Sequence, residues 1–368
     1  MKVSFNNKDA CFYKSVTDSI ETYFKLKNLS KTGNWKLYLK TAILILLALS
    51  VYLGIFIPGL TIMPIAVLGL ILGLISAFIG FNVMHDANHG SYCANKKINS
   101  ILGLTLNALG GNSFIWKHKH NIIHHTYPNV DGMDDDIAKS PFMRMCSTQP
   151  WSPMHRLQHL YTPFLYSVSS LLWVLFQDFE KYFRPRLNST AMASKMSVGD
   201  HFIFWISKTL YLFFYLVLPG LLMGWLNATV FFLALHVGLG FTLAIVFQLA
   251  HVVETTSFEA ASDDKPKRIE HEWAVHQLQT TSNFSPSNKV LSWLLGGLNY
   301  QVEHHLFPRI SHIHYPAISK IVLAKCQEFN LPYHCIPSFG KAINSHFRLI
   351  RLLGRKPKPD SLNLKEQL

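Results

Sequence analysis

The chain has 368 residues, of which 49% are hydrophobic and only 15% charged. That charge fraction is too low for a soluble protein of this size. A net charge of +13 would suggest a nucleic-acid partner in a soluble domain, but long apolar runs turn it into an orientation signal for a membrane protein instead.

Residues 1–40 are polar and basic, with scattered Phe and Tyr, and read as a leader near the membrane surface. They hold no basic n-region followed by an apolar h-region, so no cleavable signal is expected. From Thr41 to Met84 there is no Asp, Glu, Lys or Arg, and Pro58-Gly59 with Pro64 breaks the run in the middle. About 20 apolar residues cross a bilayer, so residues 41–84 fit a first hairpin of two spans. No Gly or Pro interrupts Phe81 to His89, so the second helix can continue out of the membrane, with Gly90 as its stop.

Residues 85–200 read as cytosolic. Within them, Ile101 to Ile115 is expected as one short interfacial or buried helix. Leu160 to Phe176 is nearly long enough to cross. Thr162, Pro163, Ser167, Ser169 and Ser170 weaken it, and a helix lying in the interface is preferred. Residues 201–250 form a second hairpin, broken near Pro219-Gly220 and Asn227. Its one fixed charge, Lys208, is expected to snorkel to the surface. Residues 251–368 read as cytosolic, with a short amphipathic stretch from Lys289 to Leu298.

The turns near 58–64 and 219–228 carry no Lys or Arg, whereas the other three segments are basic. An even number of spans between them puts all three on one side, which the basic excess makes cytosolic. The expected fold is therefore an all-α integral membrane protein, with four transmembrane helices in two hairpins and a cytosolic helical cap, in a single domain spanning 1–368. Cys11, Cys93, Cys146, Cys326 and Cys335 are odd in number, contain no C-x-x-C pair and fall on the cytosolic side, so no disulfide is expected.

Three histidine clusters stand just outside the apolar stretches. In a helix, residues i and i+4 share a face. His85 and His89 meet that condition, and so do His120 and His124, with His125 turned about 100° further on. Gln301, His304 and His305 stand at i, i+3 and i+4. Neutral imidazole suits zinc, copper, iron or nickel. Seven histidines exceed what one tetrahedral zinc uses, so two metals are more natural. His251 follows the second hairpin as His85 follows the first, which makes it an eighth candidate. A metal transporter should place its ligands at mid-membrane, where only His236 lies. A zinc protease is disfavoured because H-E-x-x-H is absent.

The stretches His-Asp-Ala-Asn-His-Gly-Ser (85–91), His-Asn-Ile-Ile-His-His-Thr-Tyr (120–127) and Gln-Val-Glu-His-His-Leu-Phe-Pro (301–308) resemble the membrane fatty acid desaturases. That family carries three histidine boxes after transmembrane hairpins. The resemblance covers nearly the whole chain and is specific in combination. It implies a di-iron site using O2 and two electrons to place a cis double bond in an acyl chain carried by CoA or by a lipid. It carries the metal ligands onto His85, His89, His120, His124, His125, His304 and His305, with His251 matching a further family histidine after the fourth span. A di-iron lipid hydroxylase is the alternative within the same chemistry.

Gln301 looks like the front-end type, which inserts a bond between an existing one and the carboxyl end. It is read as either a weak ligand or a neighbour of the ligands. His276 is a further tentative ligand. Asp86 and Glu303 are candidates to orient adjacent histidines. The acidic run Asp131, Asp134, Asp135 and Asp136 is expected to be a solvated or salt-bridged loop, with a link to the second box as the sharper alternative. His118, His312 and His314 are read as non-ligands, and His155, His159, His201, His236, His271, His334 and His346 as structural. Many front-end relatives carry a fused cytochrome b5 domain with a His-Pro-Gly-Gly motif. That motif is absent here, so electrons are expected from a separate cytochrome b5-like protein or ferredoxin. The compact form fits a bacterial inner membrane.

Overall fold

Five helices in the computed structural model are long and apolar enough to cross a membrane: Trp35–Gly54, Ile62–His89, Pro153–Phe183, Val198–Met223 and Trp225–His251. The structure describes residues 3–357 apart from 9, 139, 185, 188–189, 192–194 and 262–266, so the outer ends of the leader and of the C-terminal segment lie outside it. The first helix starts earlier than the uncharged run, because Asn34 accepts a hydrogen bond from the Lys36 amide and caps it.

Two of these helices, Ile62–His89 and Trp225–His251, form the spine. Glycines bring their backbones together: a Cβ on Gly69 would meet the Phe231 carbonyl at 2.7 Å, and one on Gly73 the Leu235 carbonyl at 2.2 Å. Gly80 faces Leu243 further along. Contact positions rise together on both helices, so the pair runs parallel. That register brings the His85–His89 turn and His251 to the same end of the pair, with His251 about one turn beyond the level of His85.

Both hairpins turn where the sequence supplies the means. The second turns on Gly224 (φ 86°), between the two expected breaks. Pro219 is absorbed just after a wide π-turn at Phe213–Val217 and does not end its helix. Lys208 does not snorkel. It is buried, and its ammonium donates to Asp178 (2.7 Å) and to the carbonyls of Gly110 and Val174.

The stretch expected as one helix over Ile101 to Ile115 is broken into Lys96–Gly103, Thr105–Ala108 and Ser113–Lys117. Gly110 at φ 94° breaks it, and Asn112 caps the last piece. The helix around 160–176 is longer than expected, running from Pro153 to Phe183. It crosses Trp225–His251 at Gly240, where a Cβ would meet the carbonyls of Tyr166 and Ser167 at 2.8 and 2.9 Å.

Short parallel strand pairs staple the loops around the histidines. Val130–Asp131 pairs with Glu259–Ala260, joining the chain after the second box to the chain after His251. Val3–Phe5 pairs with Lys267–Ile269, tying the leader down on the same side. The leader helix Cys11–Lys27 buries Phe12, Val16, Ile20 and Phe24 on one face, against Ile318 and Val322 of the helix Tyr315–Glu328.

Candidate metal centre

The first two histidine boxes stand at departures from regular α-geometry, whereas the third lies in the short α-helix Gln301–Leu306. A π-turn at Gly80–Met84 runs directly into His85–His89, and Gly90 (φ 75°) ends that helix as expected. A second π-helical segment spans His118–His124. There the His125 amide bonds the His120 carbonyl five residues back (3.0 Å). The wider turn also brings His125 Nε2 to 3.3 Å from that of His120, a contact that regular α-spacing does not predict.

All eight imidazoles are buried and converge. The available nitrogens of His85, His89, His120 and His304 lie within 4.8 Å of one another, and so do those of His124, His251 and His305. His125 lies between the two groups, its ring centre 4.6 Å from that of His304 and 4.4 Å from that of His305.

Ring orientation is set from outside the cluster. His124 Nδ1 donates to Asp134 Oδ2 (3.1 Å), His305 Nδ1 to Gln277 Oε1 (2.9 Å) and His251 Nδ1 to the Thr280 carbonyl (3.2 Å). His304 Nδ1 meets the Tyr315 hydroxyl at 3.1 Å. These bonds leave Nε2 of His124, His304 and His305 buried with no partner, as are Nε2 of His89 and Nδ1 of His85 and His125. Buried nitrogens normally find partners. Six buried ring nitrogens without a partner, on imidazoles packed this closely, fit metal ions well.

Charge favours the same reading. Burial holds His120, His125, His304 and His305 well below the usual imidazole range, and neighbouring histidines add to this, so each stays neutral as metal ligation requires. Burial opposes charge on His124 too, but the carboxylates of Asp134 and Asp136 outweigh it and raise its pKa.

The tentative residues separate. Gln301 is buried beside the cluster, its amide Nε2 donating to His251 Nε2 (3.1 Å) and its Oε1 without a partner. Asp86 stands 4.0 Å from His85 Nδ1 but spends its Oδ2 on His312 Nδ1 (2.9 Å) and Ser311 (2.7 Å). Glu303 turns away to Asn283 and Tyr333, both at 2.8 Å, and burial raises its pKa to about 7. His276 Nε2 bonds the Pro128 carbonyl (2.9 Å) and belongs to none of the nitrogen groups.

The acidic run is salt-bridged, as one form of the expectation had it, and it is also linked to the second box. Asp134 is buried on His124 and also accepts from the Asn129 amide (3.0 Å), while Asp136 pairs with Lys119. Sequence reasoning missed Gln277, Tyr315 and the Thr280 carbonyl altogether. Gln277 follows His276 directly, but no spacing rule links it to His305, which lies 28 residues later.

A cavity of about 340 Å³ leads from His85, His120 and Gln301 down between the helices. Phe81, Met84, Leu243 and Phe247 supply apolar walls, Ser170 and Trp173 also line it, and Lys119, Asp135, Asp136 and Lys181 form a charged side. Trp116 stacks on His120 at its head, ring centres 4.3 Å apart. Such a slot accepts a flexible apolar chain and brings it to the histidine cluster.

Comparison with known proteins agrees with this geometry. The profile of the family described as fatty acid desaturase matches residues 60–337. An acyl-lipid (8-3)-desaturase from Physcomitrium patens is 35% identical over 93% of this chain and 72% of its own length. Two sn-1 linoleoyl-lipid 6-desaturases are also similar. That of Synechocystis sp. is 34% identical over 96% of this chain and 98% of its own, and that of Arthrospira platensis is 32% identical over 98% and 97%. The chain belongs to the fatty acid desaturase family and is an oxidoreductase of fatty acyl chains in the membrane.

Proposed function

We propose that the eight histidines hold two iron ions and that the enzyme is a front-end desaturase acting on lipid-linked acyl chains. The observation that carries this is the division of the eight buried imidazoles into two groups with His125 between them, beside a cavity with apolar walls. His85, His89, His120 and His304 would hold one ion, and His124, His251 and His305 the other, with His125 next to both. The lipid carrier follows the activities for which the relatives are named.

When bound, the irons supply O2 activation and the removal of hydrogen from two adjacent CH2 groups. The overall balance is one –CH2–CH2– unit, O2, two electrons and two protons giving –CH=CH– and two waters. The protein's own residues orient and exclude. Asp134, Gln277, Tyr315 and the Thr280 carbonyl fix the imidazole rings. Phe81, Leu243 and Phe247 hold the acyl chain and exclude water. Gln301 stands at the same cavity wall as His85 and His120, where the reacting carbons would lie. The electron donor in this reading is a cytochrome b5-like protein or a ferredoxin.

Four helices would span the membrane, with the metals on the cytosolic face. His85 and His251 share a site, so the chain between them crosses an even number of times, and Val198–Met223 with Trp225–His251 already makes two crossings. Pro153–Phe183 therefore lies in the interface. Both its ends stay near the metal side. Gln158 bonds the Ile350 carbonyl, and His346 of that same C-terminal helix bonds the carbonyl of Val252, next to His251. At the other end, Lys181 pairs with Asp135, beside the carboxylates that hold His124.

Expression in a host fed polyunsaturated precursors, with lipid analysis by gas chromatography and mass spectrometry, tests the assignment. New double bonds on the carboxyl side of existing ones are expected. The purified protein should hold about two irons, and His124→Ala or His305→Ala should abolish both iron retention and product. Normal activity in either variant would sink the ligand assignment.

A further inference from the structure

A second cavity, of about 630 Å³, lies on the other side of the Gly296–Leu298 segment from the acyl cavity. Gly297 lines one and Leu298 the other. A Cβ on Gly296 would meet the Phe81 carbonyl at 2.5 Å, so the wall between them is tightly packed.

This groove sits where the first long helix begins. Trp35, Lys36, Leu39 and Ile43 line it from that helix, and Lys289 and Trp293 from the short helix Lys289–Leu294. Trp35 is 65% exposed and Trp293 41% exposed. Among the described residues its lining includes three lysines, Lys36, Lys40 and Lys289, and no carboxylate. Lys40 is buried at the floor, its ammonium 5.2 Å from the Trp293 ring centre. Its three N–H groups are taken by Asn82, the Trp293 carbonyl and His312, so it offers charge rather than a free donor. Below Ile43 the helix stays apolar and exposed through Leu46 and Leu47.

A basic mouth flanked by two tryptophans, above an apolar strip, has the polarity profile of one leaflet read from the interface inward. Tryptophan settles at headgroup level, and lysines there attract anionic lipid. We propose that this groove binds a membrane phospholipid with an anionic headgroup. Its phosphate lies between Lys36 and Lys289 over the charge of Lys40, and one acyl chain runs along Leu39, Ile43 and Trp293. The site is distinct from the acyl cavity.

The full-length protein in mixed micelles tests this by tryptophan quenching with brominated-chain phosphatidylglycerol against brominated-chain phosphatidylcholine. The wild type should show half-maximal quenching at a mole fraction about tenfold lower for the anionic lipid. Lys36→Glu combined with Lys289→Glu should bring that ratio close to one without shifting the melting temperature. Trp293→Phe should remove most of the anion-specific quenching, and it decides the matter if the double variant misfolds. Equal quenching by both lipids in the wild type would overturn the proposal, as would a preference that survives the double variant or the loss of Trp293. Displacement by millimolar inorganic phosphate alone would overturn it too, in favour of a free-phosphate site.

Discussion

At the scale of single residues, Asp134 is the most consequential neighbour of the cluster. It lies ten residues after His124, holds that ring through Nδ1 and is itself held by the Asn129 and Asp136 amides. Removing a carboxylate that orients a metal-bound histidine costs roughly 10–100-fold in metal affinity. Asp134→Asn should therefore lower iron affinity by about that factor while the protein stays folded, as read by metal content after graded chelation. Unchanged retention would show that His124 is oriented by something else.

Two other histidines make a prediction about pH. Burial lowers His276 and His346 to about 4. Unfolded imidazoles take a proton near pH ~6.5. Between those values the unfolded state binds more protons, so stability falls as pH drops from about 6.5 to about 4. Melting temperature should decline across that window, and His346→Gln should flatten the slope. A melting temperature constant from pH 7 to 4 would contradict it.

Elements set the level at which the boxes meet. The glycine-mediated contact between Ile62–His89 and Trp225–His251 fixes their register, and the register fixes the height of His85 against His251. Gly73→Val would push a side chain into the Leu235 carbonyl and the Leu239 amide. Overpacking of this kind costs about 1–3 kcal/mol. A lower melting temperature together with reduced metal retention is expected. The helix Pro153–Phe183 makes a separate prediction. With exposed Cys11 and Cys335 replaced by serine, single cysteines at Met154 and Phe183 should both react with an impermeant maleimide from the same side of the membrane. Labelling from opposite sides would mean that this helix crosses.

For the whole molecule, most of the candidate site was legible because imidazole spacing on a helix is a local property. His85 and His89 need only one turn of backbone to share a face. Locality also explains the misses. The link from Gln277 to His305 and the bond from Tyr315 to His304 are made by folding, between segments with no shared period. Lys208 read as a snorkelling charge because its partner Asp178 comes from another helix. Asp134 read as a loop carboxylate because runs of aspartate usually face water. The broken stretch before the second box looked continuous because its apolar pattern says nothing about Gly110 adopting a positive φ.

By itself, then, the sequence determined the membrane class, the long apolar helices, the three boxes and the fatty acid desaturase family, all of which rest on hydropathy and short-range spacing. Only the tertiary structure decided how the eight imidazoles lie relative to one another, which groups orient their rings and where the cavity beside them runs. The physical reason is that these depend on helix register, on π-turns that re-aim side chains, and on buried polar atoms finding partners far away in the chain.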